Sequence, residues 1–201
     1  MSRYSSRDAL SRLLAYVTDS PASAADALIG RYGGARGIAS ADYGELSFID
    51  GIGERGALLL RLTAAAASRS VTDGFRFGRE HTEAEIVDYF KALFAGSTNE
   101  TVYAMLLDGA GRVTFCDFLG EGTVNSTSVL PRKVLELAVR RGAKGVILAH
   151  NHPSGYARPS VEDVELTELL KRMFRDSGRR LIAHYVIADN DCASIDLEDE
   201  E

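Results

Sequence analysis

Two histidines stand two residues apart in VILAHNHPSGYARPSVED, residues 146–163, and an aspartate closes the run. In extended backbone, side chains two apart share a side, so His150 and His152 project together where a run of aliphatic residues ends. Pro153 and the Ser154-Gly155 pair reverse the chain, and Pro159 precedes a helix that carries Asp163 back toward the histidines. Two imidazoles and one carboxylate, with a fourth place open, are the donor set of a catalytic zinc, which acidifies water into a nucleophile near neutral pH. Each half of the pattern also has a plainer reading. Ser160-x-x-Asp163 has the spacing of a helix capping box with an acid in the first turn, and His-x-His after a strand also describes two loop histidines.

The elements that must hold these residues follow from hydrophobic periodicity. KGVILAH reads as a buried strand of a sheet interior, SVEDVELTELLKRMFRDSG as the longest helix, and RLIAHYVIAD as a last strand. Upstream, HTEAEIVDYFKALFA is an amphipathic helix with Thr82 and Glu85 in capping-box spacing. TVYAMLLD and RVTFCDFLG flank a Gly-Ala-Gly turn as a hairpin. PRKVLELAVRRGA is a helix with Pro131 in its first turn and Gly142 just past its end. The order α, β-β, α, β, α, β predicts an α/β fold, a mixed sheet flanked by helices.

Residues 1–70 read instead as an all-α segment. Leu10, Leu13, Leu14 and Val17 share one helical face, and a second helix ends at a glycine pair. In LSFIDGIGERGALLLRL, Gly51 and Gly53 free the backbone for a tight turn, and the helix opening near Glu54 would offer amides to a phosphate. The plainer alternative is that Gly-x-Gly joins two packed helices. Arg55 and Arg61 favour a DNA contact; Asp50 and Glu54 oppose it. Residues 71–79 have a linker's composition, residues 80–201 form the second domain, and His81 reads as a surface residue.

Composition narrows the classes. A chain of 201 residues, 45% hydrophobic and 26% charged, is an ordinary globular protein. No apolar run approaches the roughly 18 residues of a membrane span, and the charged, periodic start does not read as a secretory leader. Cys116 and Cys192 have no CxxC spacing and read as reduced thiols of a cytoplasmic protein. Residues 1–70 carry 8 Lys+Arg against 7 Asp+Glu and the rest 15 against 22, so the acidic excess lies in residues 71–201, much of it in a terminal DLEDEE that reads as a solvated end. That acidity argues against broad adhesion to nucleic acid, though not against a local contact.

HNHPSGYARPSVED resembles the JAMM motif of the MPN/JAB superfamily, His-x-His-Pro…Ser-x-x-Asp, and in particular its bacterial RadC branch. GTVNSTSVLPRKVLELAVRRGAKGVILAHNHPSG and the LTELLK after the aspartate resemble the branch too, and IDGIGERGA is similar to its N-terminal helix-hairpin-helix segment. The resemblance implies an MPN/JAB-like, deaminase-like architecture, Zn2+ held by His150, His152 and Asp163, and Ser160 helping to stabilise a developing oxyanion. It also implies a glutamate general base; in NETVYAMLLDGAGRV the matching position is Glu100, followed by Leu107-Asp108. Relatives in the branch tend to carry Asp-His in the final strand, where this chain has Ala183-His184, so the orientation of His184 is left unsupported.

Two functions compete. One is a zinc hydrolase of the JAMM type acting on a peptide or isopeptide bond of a protein substrate. The other is a DNA-associated accessory protein, in keeping with the branch's historical name, DNA repair protein RadC, that touches DNA non-specifically through Gly51 and Gly53 while the metal domain is structural. A nucleobase deaminase needs His-x-Glu and Pro-Cys-x-x-Cys, which are absent from the chain. An HNH nuclease places its histidines in a different strand-helix context.

Overall fold

A computed structural model of the chain describes residues 5–121, 129–188 and 191–195. The first four residues, part of the family-like GTVNSTSV stretch and the DLEDEE end lie outside the described residues. The chain divides into two units after Ser70. In the first, caps decide where helices begin and stop. Ser5 and Asp8 form a capping box at the start of α1, Ser6–Leu14. Pro21 opens α2, Pro21–Tyr32, and left-handed Gly33 closes it. Short α3, Ala35–Ser40, and α4, Tyr43–Ser47 with Asp42 as its cap, lead into α5, Gly53–Gly74. Leu10, Leu14, Leu28, Leu46, Ile52 and Leu60 meet in this unit's core.

Residues 71–79 are not the linker their composition predicts. Residues 71–74 are the last turn of α5, whose 22 residues make it, rather than the helix of SVEDVELTELLKRMFRDSG, the longest among the described residues. Phe75 then packs on the second unit's core, and the Gly78 amide and Arg79 carbonyl pair with Val113. Gly, Asp and Ser disfavour a helix weakly, whereas an established helix propagates at little cost per residue.

The second unit is a five-stranded sheet in the order β2-β1-β3-β4-β5. Its elements are α6, Glu83–Phe94; β1, Thr101–Leu107; β2, Val113–Glu121; α7, Val129–Arg140; β3, Gly145–Asn151; α8, Val161–Asp176; β4, Arg180–Ala188; and β5, Asp191–Ser194. β3 and β4 run parallel, joined through α8, and every other neighbouring pair is antiparallel. The mixed sheet is the one expected, but RLIAHYVIAD is not its last strand. DCAS forms β5, too short and polar to show an alternating pattern.

Both sheet faces are covered, so β3 is buried at all seven positions. Alternation gives Val146 and Leu148 to the side of α7 and α8, with Val134, Leu170 and Phe174. Ile147 and Ala149 go to the side of α6, with Phe90 and Phe94. Even-numbered residues of β3 therefore face α8, and His150 continues that series at the strand's end.

Candidate metal centre

Three candidate ligand side chains converge where β3 ends and α8 begins. His150 Nε2 lies 3.0 Å from Asp163 Oδ1 and 3.1 Å from His152 Nε2, and His152 Nε2 is 3.5 Å from Asp163 Oδ2. A tetrahedral zinc with bonds of about 2.0–2.2 Å sets its ligands about 3.3–3.6 Å apart, so the cluster is within a few tenths of an ångström of fitting one. Among the described residues these three are also the group whose His, Cys, Asp or Glu atoms lie close enough together to hold a metal ion. The side chains of His150 and Asp163 are 1% and 2% exposed against 14% for His152, so the site opens on the His152 side.

The donor chemistry agrees with the distances. His152 Nδ1 is 3.1 Å from the Tyr156 carbonyl, which can only accept, so Nδ1 carries the proton and Nε2 presents a lone pair. Burial pushes the Asp163 carboxyl up. Hydrogen bonding and charge from His150, with the Ser160 hydroxyl and amide, outweigh it and hold the group below the usual carboxylate range. At this range the ligand atoms cannot all present lone pairs to one another; a proton on His150 Nε2, or a cation among the three groups, relieves the repulsion.

The capping box and the metal cluster turn out to be one structure. The Ser160 amide and hydroxyl donate to Asp163 Oδ2 at 2.8 and 2.6 Å, and the Asp163 amide donates back to Ser160 Oγ at 3.1 Å. The helix end thus takes Oδ2 and aims Oδ1 at His150. The Ser160 hydroxyl proton is committed to that carboxylate.

Glu100 lies immediately before β1, half-buried. Val102 pairs with His150, so the antiparallel register continued outward sets Glu100 opposite His152. Asn151, between the histidines, holds this segment in place. Asn151 Oδ1 accepts from the Thr101 amide and hydroxyl, both at 2.7 Å, and Nδ2 donates to the Asn99 carbonyl at 3.1 Å. Asn151 therefore grips the backbone on both sides of Glu100.

His184 is oriented after all, and by a residue the sequence did not single out. Its Nε2 meets His150 Nδ1 at 3.0 Å, and its Nδ1 meets Thr167 Oγ1 at 2.6 Å. Thr167 Oγ1 in turn donates to the Asp163 carbonyl at 2.6 Å. Burial holds His184 well below the usual histidine range, hence neutral. Ala183 belongs to the cluster on the α6 side of the sheet, so a carboxylate there would point away from the His184 ring.

Two other expectations change. His81 is a packed residue rather than a surface one: its side chain is 1% exposed, and its ring stacks on Phe75 at 3.9 Å. Arg61 donates to the carbonyls of Ala39 and Ala41, so it braces the first unit instead of reaching toward a phosphate. Gly51 and Gly53 do adopt the left-handed backbone, φ +77° and +58°, that their turn requires.

The family model described as "RadC-like JAB domain" matches residues 81–200. The chain belongs to this family. A UPF0758 protein of Herminiimonas arsenicoxydans is 33% identical over 162 residues, 80% of this chain and 72% of its own length. One of Desulforudis audaxviator is 32% identical over 194 residues, 90% of this chain and 80% of its own. One of Methylibium petroleiphilum is 34% identical over 165 residues, 82% of this chain and 74% of its own. The family match spans Glu100, His150, His152, Ser160 and Asp163, and the mixed sheet with its flanking helices is the fold expected of a JAB domain. No helix among the described residues is long and apolar enough to cross a membrane.

Proposed function

We propose that the protein is a zinc-dependent hydrolase of the JAMM type, cleaving a peptide or isopeptide bond in a protein substrate. The observation that carries the reading is the convergence of His150 Nε2, His152 Nε2 and the Asp163 carboxylate at one opening on the His152 side. The chemistry that zinc supplies when held by these residues is Lewis acidity, which brings the pKa of water toward neutrality and polarises a carbonyl. Glu100, opposite His152, takes the proton of the attacking water and returns it to the leaving amine. Ser160 holds Asp163 in its ligating orientation, and its hydroxyl, once released from Oδ2, is a donor for the developing oxyanion.

Glu100→Gln tests this without disturbing the metal ligands. Proteins exposed to the wild-type enzyme should show new amino termini or released isopeptide branches, read by terminal labelling and mass spectrometry. The variant should retain its zinc and cleave roughly 10²–10⁴-fold more slowly. Identical cleavage by both forms, or none by the zinc-loaded wild type, overturns the proposal in favour of a metal-bearing scaffold.

The turn at Gly51 and Gly53 favours a second reading, in which the amides opening α5 touch a DNA backbone without reading sequence. Binding should then be independent of sequence and fall steeply with salt, and Gly53→Val should abolish it while the helical circular dichroism persists. Undiminished binding by the variant rules out the turn.

A further inference from the structure

The geometry points to Thr167 as a positioning residue for the metal centre: through His184 it fixes the tautomer of His150 that leaves Nε2 free for a metal. This inference rests on the metal-binding reading of the cluster and adds the mechanism that prepares it.

The argument is a count of protons. A hydroxyl has one, and the Thr167 proton goes to the Asp163 carbonyl, which can only accept. At its other contact Thr167 Oγ1 must therefore accept, so the proton of His184 sits on Nδ1. His184 Nε2 is then an acceptor, and His150 must donate to it from Nδ1. With Nδ1 holding its proton, Nε2 is the His150 nitrogen left to ligate a metal, and it is the atom that faces Asp163 Oδ1 and His152 Nε2. Reading from the metal end gives the same assignment. A ligating Nε2 leaves Nδ1 as the donor, which needs an acceptor in a place closed to water.

The chain of contacts is also a ring. Asp163 offers its carboxylate to the cluster and its backbone carbonyl to Thr167, one helical turn further along α8. Thr167, His184 and His150 lead back from that carbonyl to the same cluster. All four are buried, so water is not at hand to replace a missing partner. His152 reaches the equivalent state independently, through the Tyr156 carbonyl. The two imidazoles are thus set by separate acceptors, one in a loop and one inside the fold.

Thr167→Val removes the hydroxyl and keeps the shape; Thr167→Ser keeps the hydroxyl. Zinc affinity is read by competition with a chromophoric chelator, and tautomers by long-range 1H–15N spectra of the histidine-labelled, zinc-free protein. Wild type and Thr167→Ser should show His150 and His184 protonated on Nδ1. Thr167→Val should show His184 shifted to Nε2–H and bind zinc about 10–100-fold more weakly, the usual loss for such an outer partner. Equal affinity with unchanged spectra in Thr167→Val overturns the inference, as does a wild type with no proton on His150 Nδ1. If Thr167→Val does not fold, the wild-type spectrum still decides. A wild type that binds no zinc yet shows the Nδ1 protons would overturn the metal reading and leave the proton assignment standing.

Discussion

Replacing Asn151 with alanine should loosen the segment that carries Glu100 while sparing the metal ligands. Asn151 and Thr101 are 6% and 8% exposed, and three hydrogen bonds join Asn151 to residues 99 and 101. Alanine leaves the Thr101 amide and hydroxyl without their acceptor, and a buried donor stripped of its partner costs about 1–3 kcal/mol. Asn99 is exposed, so its carbonyl turns to water at little expense. Two stranded donors, partly relieved by water entering the space left behind, give an expected loss of about 2–4 kcal/mol. Urea unfolding of the zinc-free protein measures it, as a lower midpoint with an unchanged slope. Zinc binding should persist, because β3 holds His150, the Tyr156 carbonyl orients His152 and the capping box holds Asp163, but hydrolysis should fall with the freedom gained by Glu100. A stability loss below about 1 kcal/mol, or full hydrolysis despite the expected loss, refutes the reasoning.

His152→Ala should abolish zinc binding while leaving the fold intact, since the residue lies past the end of β3 with its side chain at the opening; metal analysis beside circular dichroism checks both halves. Stability of the zinc-free protein should depend on pH through His184, whose pKa burial depresses in the folded state. The unfolded chain takes up a proton there below the ordinary value of 6.5 and the folded one does not, so stability rises with pH up to that value and then levels. Urea midpoints across about pH 5–8 should trace that rise; a flat or falling profile contradicts a neutral His184.

The cluster of His150, His152 and Asp163 that could hold a metal was legible because its spacing is local. His-x-His needs only the two-residue period of a strand, and Ser-x-x-Asp only the first turn of a helix. What escaped depends on register between distant segments. Thr167 is an unremarkable helix residue until β4, parallel to β3, sets His184 beside it. Asn151 means nothing until β1 pairs with β3 and brings Thr101 alongside. The linker and His81 failed for a related reason. Single polar residues and glycines predict a loop, but Phe75 supplies packing that a local pattern does not show.

The shared carboxylate of Asp163 has a consequence for which cations the site admits. One oxygen is spoken for by the start of α8, so the group can offer a metal only the other without uncapping the helix, at a cost of about 0.5–2 kcal/mol. Calcium prefers six to eight oxygens and often both oxygens of a carboxylate, whereas zinc is content with one. For a metal held there, discrimination between hard, highly coordinated ions and small tetrahedral ones would therefore be written partly into a helix terminus. A substitution that weakens that terminus, such as Ser160→Gly, should relax ion preference before it weakens binding.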